Sequence, residues 1–127
     1  MDTSFSAEDL AFRDEVREFF ATEWNDDIIA GLRNPETFRE TMTAWHKKLY
    51  EKGWAAPNWP EEYGGTGWNS TQKYIFDYER AATGAQGLMP FGLQMVGPVI
   101  FTFGNDEQKQ KFLPPTLAGD MWWCQGY

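Results

Sequence analysis

Helix start and stop signals recur along this chain so regularly that little but helix fits between them. Ser6-Ala7-Glu8-Asp9, Asn34-Pro35, Asn69-Ser70, Pro90 and Asn105-Asp106-Glu107-Gln108 read as starts. Gly53, the pair Gly84 and Gly87, Gly104 and Gly119 read as stops. A Ser or Asn side chain can accept a backbone N–H that the first turn leaves orphaned, and glycine accepts the left-handed conformation that ends a helix.

Between the signals the apolar residues fall at helical spacing. Phe12, Val16, Phe19 and Phe20 share one face of a first helix over residues 7–24, with Phe5 and Leu10 as a hydrophobic staple. Residues 26–32 give a short, weak helical turn. The Asn34-Pro35 start leads to a helix with Phe38, Met42, Trp45 and Leu49 as its buried stripe. A third strong helix, capped by Asn69-Ser70 and running through Ala82, places Tyr74, Ile75 and Tyr78 inside. Residues 91–103 are apolar nearly all round, which predicts a central helix, interrupted at Pro98, with Gly92 and Gly97 permitting close approach. In the last helix Lys109 and Lys111 face solvent, and Phe112 and Leu117 face in. Residues 53–68 hold Pro57, Pro60 and several glycines, so they read as a loop, and Trp54, Trp59, Tyr63 and Trp68 fold it down onto the core. Residues 121–127 have strand chemistry and no partner strand. The predicted class is therefore all-α, a bundle of five to six helices ending in a short β-strand, with a helical domain over 1–120 and residues 121–127 as the first strand of a β domain beyond it.

Composition narrows the function classes. The 127 residues suit one domain. The net charge of −8 is concentrated at the front, where residues 1–63 hold 14 acids against 7 bases, and this argues against nucleic acid as a partner. A single cysteine, Cys124, read as a packed strand residue, fits a reducing, cytoplasmic setting. The first residues, Met-Asp-Thr-Ser-Phe-Ser, do not read as a secretory or transit leader. Residues 88–103 are too short and too broken by Pro90, Gly92, Gly97 and Pro98 for a membrane span.

The candidate chemistry is sparse. Gly64-Gly65-Thr66-Gly67 follows Glu61 and Glu62, which would repel phosphate, so it reads as a turn. His46, the sole histidine, rules out a His-based metal cluster and a Ser-His-Asp triad, and reads as a surface or half-buried structural residue. The paired acids at 14–15, 26–27, 61–62 and 106–107 read mostly as solvated faces and caps, with a glycosidase-type carboxylate pair as the minor alternative. Asn69-Ser70-Thr71 matches a glycosylation acceptor but reads as a helix cap. The broken helix around Gly97-Pro98 is either core packing or one wall of an apolar ligand site. No reaction follows from residues and spacing alone.

Three stretches in order resemble one family. Gly53-Trp54 through Pro57, Pro60-Glu61-Glu62-Tyr63-Gly64-Gly65 and Gly67 is similar to the G-W…P…P-x-x-Y-G-G-x-G loop of acyl-CoA dehydrogenases. Phe103-Gly104-Asn105-Asp106-Glu107-Gln108-Lys109-Gln110-Lys111-Phe112-Leu113-Pro114 resembles the family's F-G-(T/S/N)-x-E-Q-K-x-(R/K)-(Y/F)-L-P helix. Gly119-Asp120 leads, as in the family, into a strand. The opening helix, with Phe12-Arg13-Asp14-Glu15-Val16-Arg17-Glu18-Phe19, is also similar, and Trp122-Trp123-Cys124-Gln125-Gly126-Tyr127 looks like a bacterial subgroup similar to pimeloyl-CoA and sterol side-chain dehydrogenases.

The resemblance implies the N-terminal helical domain of an enzyme that oxidises an acyl-CoA thioester to the trans-2-enoyl-CoA. In such an enzyme FAD takes the β-hydride, electrons pass to an electron-transfer flavoprotein, and the parent is a homo- or hetero-oligomer. It implies flavin contacts at Gln125 and Tyr127, an acyl-chain wall at Gln94, Met95 and Pro98, no catalytic residue in this chain, and no activity of the fragment alone. A nitroalkane oxidase or flavin monooxygenase on the same scaffold, and a non-enzymatic helical interaction module, are the alternatives.

Overall fold

A computed structural model describes residues 4–127. The reading of the first residues as leaderless rests partly on Met1, Asp2 and Thr3, which lie outside the described residues. The described residues form six α-helices: α1 (Ala7–Glu23), α2 (Asp26–Arg33), α3 (Phe38–Glu51), α4 (Ser70–Ala82), α5 (Gly97–Phe103) and α6 (Asp106–Leu117). A 3-10 turn occupies Glu61–Tyr63 and a π-helical turn occupies Phe91–Val96. The all-α class is as expected.

The helix starts follow from their caps. The Ser6 and Asp9 side chains, those of Asn69 and Gln72, and those of Asn105 and Gln108 form reciprocal capping boxes at α1, α4 and α6. Asn34 does not start α3. Its side chain and carbonyl close a turn over residues 34–37, accepting from the Glu36, Thr37 and Phe38 amides, and α3 begins only at Phe38. Residues 26–32, expected as a short, weak helical turn, belong to the eight-residue helix α2. At the other end of α6, Gly119 adopts φ 79° and the Asp120 amide reaches back to the Pro115 carbonyl, a Schellman-type stop.

The chain sorts into two compact units. The first comprises Met1–Ala30 and Trp68–Gly87, built on α1 packed along α4. Its core is Val16, Phe20, Ile75 and Phe76. Phe76 sits 5.5 Å from Phe20 and 5.0 Å from Trp68, and Trp68 lies edge-on to Phe12 at 5.0 Å. Such ring pairs add about 0.5–1.5 kcal/mol beyond the area they bury. α4 buries Glu79 beside Ile75 and Phe76, whereas Tyr74 and Tyr78, expected inside, are exposed. The reason is Arg17 on α1, whose guanidinium meets Glu79 Oε2 at 2.7 Å and so admits a carboxylate at the interface. Phe5 and Leu10 both remain exposed, and the Phe5 ring lies 6.5 Å from Tyr74.

The second unit comprises Gly31–Gly67 and Leu88–Tyr127. The aromatic loop after α3 is folded down as predicted: Trp54, Ala55, Ala56 and Trp59 are buried. Trp59, Ala56, Leu93 and Leu113 form a cluster on which Tyr63, Ile100, Phe101 and Leu117 pack. Tyr63 stacks on Phe101 at 5.8 Å and 10°.

Residues 91–103 are not central all round, because Met95, Val99 and Phe103 are exposed. Nor do residues 121–127 form a strand. They run without ladder, helix or turn from Trp122 onward, since a strand is defined by a partner that the described residues do not supply. Cys124, expected to be packed, is a free and exposed thiol.

Candidate functional site

The broken helix is where backbone irregularity and exposed apolar side chains coincide. An α-helical ladder would require a donor at Pro98 for the Gln94 carbonyl, and proline has none. The chain widens instead into a π turn, and the Gly97 amide donates to the Gly92 carbonyl. The Leu93 carbonyl takes the indole N–H of buried Trp59 at 2.7 Å. Gly97 is required here, because a Cβ at that position would fall into the Trp59 indole. Gly92 is similarly confined: a Cβ would lie 2.8 Å from Thr116 Cγ2 and 2.9 Å from Trp123 Cδ1. Single π turns of this kind concentrate at functional sites.

The outward face of this segment carries a stripe at helical spacing. Met95, Val99 and Phe103 are 46, 56 and 83 % exposed. Gln94 is exposed beside Met95, and Pro98 is half-buried one turn on. The Gln125 amide nitrogen donates to Met95 Sδ at 3.6 Å, and the Tyr127 hydroxyl donates to Gln125 Oε1 at 2.6 Å. Three of the five residues singled out from the sequence, Met95, Gln125 and Tyr127, are therefore joined in one exposed chain of contacts.

On the buried side of the same π turn lies a cavity of about 20 Å³, room for a single water. His46, Thr116, Gly92 and Trp123 are among its lining residues. The Trp123 indole donates to Thr116 Oγ1 at 2.9 Å, and that hydroxyl donates to the Phe112 carbonyl at 2.7 Å. His46 is 8 % exposed, more buried than its sequence context implied. Its place on the Met42–Trp45–Leu49 stripe was the available signal. His46 Nε2 lies 2.8 Å from the Leu117 carbonyl, which can only accept, so Nε2 carries the proton. Burial lowers the His46 pKa below the usual imidazole value, and adjacent Lys47 lowers it further, against the opposing pull of the Leu117 carbonyl and Asp120.

The remaining motifs are structural. Gly64 and Gly67 take φ of 96° and 67°, as a turn demands. The Glu61 carboxylate packs against Gly67, the opposite of a phosphate cradle. Among the described residues no cluster of three His, Cys, Asp or Glu side chains could hold a metal ion. Nor is any helix of the described residues long and apolar enough to cross a membrane.

Comparison with known proteins places these elements. A family model described as the acyl-CoA dehydrogenase N-terminal domain matches residues 6–120. Acyl-CoA dehydrogenase FadE26 of Mycobacterium tuberculosis is 34 % identical over an alignment covering 100 % of this chain and 32 % of that protein. Acyl-CoA dehydrogenase IpdE1 of Mycolicibacterium smegmatis is 36 % identical over 91 % of this chain and 31 % of its own length. The ChsE4–ChsE5 complex of Mycobacterium tuberculosis superposes with a TM-score of 0.77 at 34 % identity, covering 96 % of this chain and 30 % of the matched one. A structure titled Tcur3481–Tcur3483 steroid ACAD superposes with a TM-score of 0.69 at 31 % identity. This chain thus spans about a third of the length of the curated relatives it matches. With a matching family model over most of its residues and the same helices in solved relatives, the chain belongs to the acyl-CoA dehydrogenase family, as its N-terminal domain.

Proposed function

We propose that this chain is the N-terminal helical domain, residues 1–120 with 121–127 as the lead into a β domain, of an FAD-dependent enzyme that dehydrogenates an acyl-CoA thioester between its α and β carbons. The observation that carries the reading is the exposed contact chain from Met95 through Gln125 to Tyr127, set on a π turn. Met95, with Gln94 and Pro98 flanking it, would form one wall for the acyl chain. A thioether and aliphatic stripe exchanges water for an apolar chain at a gain of about 25 cal/mol per Å².

The Gln125 amide offers N–H donors and a carbonyl that already takes the Tyr127 hydroxyl, on backbone without helix or strand. That donor and acceptor set fits one polar edge of an isoalloxazine ring. Gln125 and Tyr127 would hold that edge in register with the acyl-chain wall, and FAD supplies the acceptor for the β-hydride. No acid of this chain is assigned the α-proton. The activity belongs to the longer protein, and the 127-residue chain alone turns nothing over.

The names of the matched structures support the first two of four finer assignments. One matched structure is called a steroid enzyme and another a complex of two named proteins. We assign this chain's parent a bulky polycyclic or side-chain acyl-CoA, an oligomeric state with like or unlike subunits, a cytoplasmic site of action, and an electron-transfer flavoprotein as oxidant of the reduced flavin. The test is an anaerobic titration of the full-length protein with acyl-CoAs of graded size. Loss of visible flavin absorbance with steroid side-chain thioesters, and less with short linear ones, is expected. Flavin that no acyl-CoA reduces, but that a nitroalkane or oxygen-dependent substrate does, would move the protein to another chemistry on this scaffold.

A further inference from the structure

Helix α3 touches the end of α6 and the segment that follows it at three points. Arg39 lies over the Trp122 ring, 5.4 Å from its centroid. His46 Nε2 donates to the Leu117 carbonyl. Lys47 Nζ meets Asp120 Oδ1 at 2.6 Å. Between the last two, Gly119 lies flat on the imidazole: a Cβ there would come within 2.8 Å of His46 Cγ and 3.1 Å of Nδ1. Arg39 and Lys47 are exposed or half-exposed partners, and exposed pairs of this kind contribute little. His46 is the buried contact of the three.

We propose that His46 is a positioning residue: its neutral Nε2–H form pins the turn at residues 117–120 to α3 and so sets the placement of residues 121–127, with protonation of the imidazole releasing that segment. The consequence for flavin rests on the reading of Gln125 and Tyr127 given above; the pinning itself does not.

The chemistry has a definite direction. Neutral His46 donates one proton to Leu117 and leaves Nδ1 as an acceptor. A proton on Nδ1 makes His46 a cation beside a cavity whose other lining residues, Met42, Leu93, Met121 and Trp123 among them, carry no charge. Lys47 on the same helix repels it and Asp120 on the turn attracts it, while Asp120 is already paired with Lys47. The turn at Gly119 covers one face of the ring, so lifting that turn opens the face to water. That lift carries Trp122 and Trp123 with it, and through them Gln125.

The test is nitrogen and proton NMR of the ¹⁵N-labelled 127-residue chain across a pH titration. The expected result is the Nε2–H tautomer at neutral pH, an imidazole midpoint below 6.5, the ordinary value for histidine, and movement of the Trp123 indole N–H and the Gln125 side-chain amide with that same midpoint. His46→Gln, whose amide N–H can stand in for Nε2–H without titrating, should keep the neutral-pH positions and remove their pH dependence. His46→Ala should show the acid positions at every pH; if it fails to fold, the Gln variant alone decides. Trp123 and Gln125 signals that stay flat while His46 titrates, or an Nδ1–H tautomer, would overturn the proposal. Flavin content of the full-length protein is read separately. If Gln125→Ala leaves it unchanged, the flavin reading falls while the NMR result on His46 stands.

Discussion

The two units solve the same problem, burying aromatic side chains with short helices, by different means. In the first, α1 and α4 are regular, each with a reciprocal capping box, and their interface takes Phe20, Ile75 and Phe76 plus one buried carboxylate paired with Arg17. In the second, a helix is deliberately irregular: Pro98 breaks the ladder, Gly97 admits the Trp59 indole, and Trp59 caps the Leu93 carbonyl. The regular unit buries Phe20, Ile75 and Phe76 at helical spacing and leaves Tyr74 and Tyr78 exposed. The irregular one turns Met95, Val99 and Phe103 outward and holds them there. An irregular helix that turns apolar side chains outward is a usual mark of a surface kept for a ligand.

Substitutions in the two units separate these two ways of burying aromatic side chains. Trp59→Ala should have the largest effect, a loss of about 3–5 kcal/mol in denaturant unfolding, because it leaves a cavity and an uncapped Leu93 carbonyl. Phe20→Ala in the regular unit should lose a similar amount. Only the Trp59 variant should make residues 91–103 a preferred site of limited proteolysis; equal cleavage in both would show that Trp59 has no special hold on the π turn.

Gly97→Ala comes next. In an ordinary helix interior this change stabilises by about 1 kcal/mol, but here the methyl meets Trp59, so a loss of about 1–3 kcal/mol is expected. A gain in Tm would refute the close packing.

His46 gives a pH dependence confined to the irregular unit. Its folded pKa is below its unfolded value, so the unfolded chain binds the proton first. Stability is complete above the unfolded pKa near 6.5 and falls as pH drops from there through the folded pKa, with a slope of at most about 1.4 kcal/mol per pH unit. Urea midpoints measured between neutral pH and mild acid should fall in the native chain more than in His46→Gln; identical slopes would remove His46 as the cause.

Caps should respond equally in both units: Asn69→Ala and Asn105→Ala each lose about 1 kcal/mol in chemical unfolding. Phe103→Ser, on the exposed stripe, should change stability by no more than about 0.5 kcal/mol in the isolated chain.

The helices were legible because their starts depend on side chains three residues apart, as at Ser6–Asp9 and Asn105–Gln108. Asn34 misled because the same side chain closes a tight turn equally well. Tyr74 and Tyr78 misled because tyrosine suits either an interior or a surface, and the choice was made by Arg17, sixty-two positions from its partner Glu79. Met95, Gln125 and Tyr127 could be named from the family pattern, but their joining through a thioether contact is tertiary. His46 was undervalued because a lone histidine beside two lysines looks solvated until the turn at Gly119 covers it.

In the proposed enzyme the outward face of the π turn and residues 125–127 serve an acyl-CoA and a flavin. The decisive experiment is an anaerobic acyl-CoA titration of full-length protein carrying Met95→Glu. Retained flavin and a weakened acyl-CoA response are expected, with more thioester needed to bleach the visible absorbance than in the native protein. An unchanged titration curve for Met95→Glu, with flavin fully loaded, would contradict that role of the π turn.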